Sequence, residues 1–397
     1  MNWLQFRGQN GAGYTSNALY PPLGMRWKLR LQENLKEKEA RAFNPPLVID
    51  DILYFGSTDG NFYAMDTRTG FMRWIFQTRG RVNSIPYADK DTVYFGSNDT
   101  YAYAVDLKTG KERWRFRTGN TIQSLILRYK DSVIFTSDQG ATFFLDVSNV
   151  PEGSQPPVEY RIPNPVWSHH TFQEFDGVLY WAPQGRGFGA FDIEARKFLW
   201  EVDVTAPYPL WYSFPALDDD RVYYGSNFFT SDGSLLHFYA ADRRDGSSAW
   251  EVERRFEPGP YMNRNYNNYF RRHVYLLDYM APALYGDTAI YTSGDALVRA
   301  FDVSSGSEAW TRRFEYPTSS APTIAGDRVY LGIHGSAIQD EDDQTVAPRL
   351  ICLSARSGNI LWEMDVEGAI LSAPVISGSR IMFGTDKLMF YVLEEVF

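Results

Sequence analysis

Along this chain, short apolar runs alternate with brief polar punctuation at a fixed interval. The string GSTDGNFYAMDTRTGFMRW ends at Trp74, and GSNDTYAYAVDLKTGKERW ends forty residues later at Trp114. Runs such as Val93 to Phe95 and Tyr101 to Val105 are β-branched or aromatic and are bounded by Gly, Ser or Asp turns, so each unit reads as four short strands. Self-similarity at this period is the mark of a repeat architecture, in which no single unit can bury its own apolar face.

Two columns fix the register. Gly56, Gly96, Thr136, Trp181, Gly225, Thr292, Gly332 and Gly384 each follow by twelve residues a member of the set Asn44, Ser84, Ser124, His169, Ser213, Met280, Ser320 and Ser372. Two residues after that second set stand Pro46, Pro86, Pro215, Pro282, Pro322 and Pro374, with Ile126 and Thr171 as exceptions. Proline cannot donate to a ladder, so it marks the first residue of a strand. Asp66, Asp106, Asp192, Asp242 and Asp302 each lie eight residues before a tryptophan, with Ser354 in that place before Trp362. A short carboxylate there can accept from backbone amides of the following turn, and the hairpin glycine supplies a positive φ.

The ends of the chain fit one closed ring. The eighth unit starts at Ser372 and lacks an outer strand, while the segment near residues 25–31 carries an orphan Trp27. Pairing the two removes exposed sheet edges. The prediction is an all-β, eight-bladed β-propeller of four-stranded antiparallel blades over 1–397, one domain, with blades starting near 44, 84, 124, 169, 213, 280, 320 and 372. The third blade is degenerate: PEGSQPPVEY replaces its hairpin, and Tyr160 stands where tryptophan is expected.

The AxDxxTGxxxW string, carried by Ala64, Asp66, Thr69, Gly70, Trp74 and again by Ala104, Asp106, Thr109, Gly110, Trp114, resembles the tryptophan-docking motif of the PQQ-like, quinoprotein-type propeller superfamily. The opening WLQFRGQNGAGYT is similar to the segment that begins many members. The resemblance covers essentially the whole chain and implies the fold. It spans quinone-dependent dehydrogenases, kinase-fused sensors and non-enzymatic members such as the outer-membrane assembly lipoprotein propeller.

For a dehydrogenase, the resemblance implies an axial cofactor with calcium. The axis-proximal positions are Asn83, Gln123, Ser168, His169, Tyr212, Asp278, Tyr279 and Ser319, among which only Asp278 is a carboxylate. Calcium usually collects six to eight oxygens. No catalytic, cofactor-binding or metal-binding residue is assigned, and no cofactor is expected. Adjacent His169 and His170 point to opposite faces of a strand and cannot chelate together. GRGFGA (185–190) falls at a strand turn with no helix behind it to hold phosphate. Cys352 reads as a buried core thiol.

A net charge of −10 argues against nucleic acid or an anionic membrane as a general partner. No apolar run is long enough for a membrane helix, and the opening MNWLQFRGQNG lacks a basic segment followed by an apolar core. A soluble, cytoplasmic protein is expected, or a periplasmic or exported one if a leader precedes this chain.

Function is sought where the repeat is interrupted. From tryptophan to the next strand start the spacing is ten residues in four cases, but thirteen after Trp200, seventeen after Trp27 and thirty after Trp250. From strand end to tryptophan it is eighteen in plain blades, twenty-five in blade five and thirty in blade seven. Both kinds of loop lie on one face of a four-stranded meander, and one-sided insertions commonly mark a binding face. They carry Trp211, Tyr212, Tyr261, Arg264, Tyr266, Tyr269, Phe270, Arg271 and Arg272, and an acidic run at Asp340, Glu341, Asp342 and Asp343. Tyr, Trp and Arg are the types enriched in interface hot spots. The expectation is a non-catalytic protein-interaction scaffold or sensor subunit, binding another protein in a multi-subunit assembly through these residues. A PQQ-dependent dehydrogenase or other small-ligand propeller, and a carbohydrate-binding module, are the alternatives.

Overall fold

In the computed structural model, the residues described are 3, 5–31, 44–138, 140–151, 153–163, 172–181, 187–202, 211–212, 214–230, 233–256, 281–338 and 345–396, with backbone alone at 9, 211–212, 227–230 and 233–234. Their strands form eight antiparallel blades. Blade 1 runs outward from the axis through Leu47–Ile49, Ile52–Gly56, Asn61–Asp66 and Met72–Gln77. First and last strands are Tyr87–Ala88 and Glu112–Arg117 in blade 2, Ile126–Tyr129 and Val158–Pro163 in blade 3, and Gln173–Phe175 and Lys197–Val202 in blade 4. They are Ala216–Leu217 and Ser248–Arg255 in blade 5, Ala283–Tyr285 and Glu308–Arg313 in blade 6, and Thr323–Ala325 and Ile360–Asp365 in blade 7. Blade 8 begins at Val375–Ser377 and takes its outer strand, Leu23–Arg30, from the start of the chain, closing the ring as expected.

Burial follows position in the blade. Second and third strands are buried along almost their whole length, because both faces of each sheet are covered by neighbouring blades; outer strands such as Met72–Gln77 show their edge to solvent. Aromatic rings stack from blade to blade, as in Phe62 on Phe95 at 4.2 Å, Phe55 on Phe390 at 4.7 Å and Phe188 on Tyr224 at 3.8 Å.

The repeated residues now have physical roles. Five of the repeat tryptophans reach into the next blade: the indole N–H groups of Trp27, Trp74, Trp200, Trp250 and Trp310 donate to the carbonyls of Thr67, Leu107, Arg243, Val303 and Ala355 at 2.8–3.0 Å. The hairpin glycine is required twice over. Gly110 and Gly306 both have φ +69, and a Cβ on either would stand 2.7 Å from the indole of Trp74 or Trp250. The serine column is a clip: the Ser124 hydroxyl donates to the Thr136 carbonyl at 2.9 Å and accepts from its N–H at 2.9 Å, and Ser84 does the same for Gly96. That bond pair is what the twelve-residue spacing records.

The hairpin aspartates cap their turns. Asp66 accepts from the amides of Arg68 and Thr69; burial pushes its carboxyl up, but Arg73 at 2.7 Å and those amides outweigh it and hold it at about 2. Glu394, at the corresponding position of blade 8, caps no turn and instead pairs with Arg380 at 3.0 Å and Arg26 at 3.5 Å.

The register expected in blade 4 is corrected. Tyr180 pairs Ala190, which pairs Trp200, just as Tyr54 pairs Ala64 and Ala64 pairs Trp74. Trp181 therefore matches Phe55, not Gly56. The degenerate third blade is also matched by its neighbour. Arg196, at φ 56, replaces the hairpin glycine of blade 4, and its guanidinium lies 5.5 Å over the Tyr160 ring. The indoles of Trp27, Trp74, Trp200, Trp250 and Trp310 rest on glycine, whereas the smaller Tyr160 phenol sits against a side chain.

Candidate functional site

The loops between strands two and three and those entering the next blade share one face. The amides of Asn98, Asp138 and Asp386 donate to the carbonyls of Arg81, Thr121 and Ala369, joining the two kinds of loop blade after blade. The blade 5 excess continues its ladder. Arg221–Thr230 and Gly233–Asp242 stay paired out to Thr230 and Gly233, so the insertion is a hairpin standing on that face rather than an irregular loop. Trp211–Tyr212 adds a strand to it, opposite Asn227 and Ser226. The side chains of Trp211 and Tyr212, and the whole of Tyr261, Arg264, Tyr266, Tyr269, Phe270, Arg271, Arg272 and the acidic run 340–343, lie outside the described residues.

Within this face, two groups that sequence reasoning did not single out are buried. Asp138, in the blade 3 turn, accepts at Oδ2 from the Thr121 hydroxyl at 2.5 Å and the Gln123 amide at 3.2 Å, while Oδ1 has no partner among the described residues. Burial pushes its carboxyl up to about 6 despite those two bonds. Asp295 holds Arg299 in a bidentate pair at 3.1 and 2.7 Å, and Arg299 also donates to Ser293 at 3.3 Å. The sequence signal for the second was an Asp and an Arg four apart across a turn; for Asp138 it was a carboxylate where blade 2 has Asn98.

Of the axis-proximal positions, Gln123 is engaged by Asp138, Asn83 is half-buried, and Ser319 is buried with its hydroxyl unpartnered; Tyr212 is described only in its backbone, and 168, 169, 278 and 279 fall outside the described residues. Lower on the axis, Phe6 belongs to a buried apolar cluster that draws on blades 2 to 8 and includes Ile85, Leu125, Phe172, Phe214, Ala281, Ala321 and Ala373. A carboxylated quinone with calcium needs oxygen ligands and cations. The described side chains clustered with Phe6 are apolar, and the Arg7 guanidinium beside it is already bonded to backbone carbonyls, so this level of the axis fits a phenyl ring better than that ligand set. Among the described residues, no three His, Cys, Asp or Glu side chains gather to hold a metal ion.

Blade number, closure and the tryptophan-on-glycine contacts define a PQQ-like propeller. The family described as outer membrane protein assembly factor BamB matches residues 24–156, 277–347 and 333–395, and the chain belongs to that family. A relative of the same description from Moranella endobia (strain PCIT) is 27% identical over 110 residues, covering 25% of each chain, so the match spans about a quarter of that relative's length. BamB from Moraxella catarrhalis has a similar structure, with TM-score 0.68 and 15% identity over 94% of this chain and 99% of that one. Quinohemoprotein alcohol dehydrogenase from Comamonas testosteroni gives TM-score 0.70 and 14% identity over 99% and 80%. At such identities the structural likenesses show the fold alone.

The cytoplasmic placement expected from the opening residues is overturned, because it conflicts with a family described by its part in outer membrane protein assembly. The expectation rested on the first residues of the chain, which decide nothing about a leader. No helix among the described residues is long and apolar enough to cross a membrane.

Proposed function

We propose that this chain is a non-catalytic scaffold in outer membrane protein assembly, binding a protein partner through its insertion-bearing face. Its support is the one-sidedness of the departures from the repeat, above all the blade 5 hairpin and its added strand, set on a fold whose family is described as an assembly factor. This hairpin carries paired backbone beyond the rest of its blade, the arrangement used for strand addition and loop docking. Tyr266, Tyr269 and Arg271 are the proposed anchors, with Trp211 and Tyr212 as further candidates.

Replacing Tyr266, Tyr269 and Arg271 together by alanine in the full chain is expected to abolish recovery of the partner in a pull-down read by mass spectrometry, with little change in thermal stability. Unchanged recovery refutes the proposed face. Dye-linked dehydrogenase activity on adding PQQ and calcium would refute the non-catalytic reading.

A further inference from the structure

The opening segment of the chain lies inside the propeller. Trp3 pairs with Val48 on the first strand of blade 1, its N–H donating to the Val48 carbonyl at 2.6 Å and its carbonyl accepting at 3.1 Å. The carbonyls of Ala12 and Gly13 accept from Leu284 at 2.9 Å and Ile324 at 2.7 Å, and Tyr14–Thr15 runs parallel to Thr323–Ala325. The segment thus spans the innermost strands of blades 1, 6 and 7. It leaves past Gly326, which turns the first strand of blade 7 into the second, so it fills the end of the axis opposite the insertions.

Two side chains face the axis itself. Phe6 is 2% exposed and meets the Phe214 ring edge-on at 4.9 Å, inside the ring of residues contributed by blades 2 to 8. Three of those residues are alanines, Ala281, Ala321 and Ala373, whose small side chains fill less of the axis than the larger residues of the other blades. Arg7 is 1% exposed, and its guanidinium donates to the carbonyls of Gly11 at 3.3 Å, Pro322 at 3.2 Å and Pro282. The proline column has a second consequence here: a proline has no N–H, and its carbonyl remains as an acceptor at the axis. The glycines between are fitted to this cargo. At φ +60, Gly13 has the Arg7 guanidinium where a Cβ would stand, and Gly11, at φ +64, has Phe214 in contact there at 2.6 Å.

We propose that the axial mouth opposite the insertions is a preformed site for a phenyl-sized aromatic side chain followed by an arginine, held in this chain by its own Phe6 and Arg7. The Phe6 ring is surrounded by apolar side chains, and the Arg7 guanidinium beside it is met by backbone carbonyls. Emptied of its resident ring, such a pocket takes a small aromatic molecule rather than water.

The test uses the full chain with Phe6→Ala and toluene as the probe. Phe6→Ala is expected to lower Tm and to recover several degrees in a saturable manner as toluene is added, while the parent chain shows no saturable response. Arg7→Lys keeps the charge but not the three-way fork; it is expected to lower Tm without acquiring a toluene response. Equal responses of Phe6→Ala and the parent chain overturn the proposal. Should Phe6→Ala yield no folded protein, Phe6→Leu is compared with the parent chain by limited proteolysis. Cleavage within residues 3–15 is then expected to accelerate at least tenfold, and an unchanged rate overturns the proposal equally.

Discussion

The contact between blades is most sharply tested at Gly306. Replacing it with alanine adds one methyl carbon at φ +69, 2.7 Å from Cδ2 and 2.8 Å from Cγ of Trp250. The indole cannot swing aside freely: its N–H is bonded to Val303 at 2.9 Å, and its ring is packed on Tyr223 at 6.2 Å and Phe301 at 6.1 Å. Two costs add. A left-handed conformation with a Cβ costs about 1–2 kcal/mol, and over-packing a filled interface costs about 1–3 kcal/mol more. Gly286, in the same blade, separates them, since it has φ +53 and a Cβ added there would meet nothing within 4 Å. Gly286→Ala should therefore show only the backbone cost, and Gly306→Ala should exceed it by about 1–3 kcal/mol. The assay is urea unfolding of both variants followed by tryptophan fluorescence. Adding Trp250→Phe to Gly306→Ala should return part of the loss, giving a coupling well outside the error of the cycle. Equal midpoints for Gly306→Ala and Gly286→Ala would refute the view that this glycine is there for the neighbouring indole.

Other expectations follow from the same contacts. Asp138, raised to about 6, binds its proton more tightly folded than unfolded, so its contribution favours the fold below the ordinary carboxylate range and is lost as pH rises through about 6. Asp138→Asn should flatten stability between about pH 4 and 6.5 and remove a penalty of up to about 3 kcal/mol at neutral pH. Asp66 runs the other way: held at about 2, it stabilises the fold above the ordinary range and loses that effect as pH falls toward 2, which Asp66→Asn should show as a reduced acid sensitivity. Ser124→Ala leaves the N–H of Thr136 unpaired in the interior and should cost about 1–3 kcal/mol in chemical unfolding, with no change in strand content by circular dichroism.

The repeat by itself determined the architecture, because each unit must bury its faces on its neighbours, and that need writes the same residue types at the same spacing eight times. Strand order, closure by Leu23–Arg30 and the face bearing the insertions were legible for this reason. The one slip of register, at Trp181, arose because a large aromatic was accepted at a small position; the pairing of Tyr180 with Ala190 and of Ala190 with Trp200 corrects it. What only the tertiary structure decided were contacts between residues far apart in the chain that belong to no repeat. Phe6 and Arg7 look like ordinary residues of an opening segment until seven blades are arranged around them, and Asp138 looks like any turn aspartate until its surroundings exclude water. Periodicity reports what each blade shares with the next, whereas the axis exists only once all eight have closed.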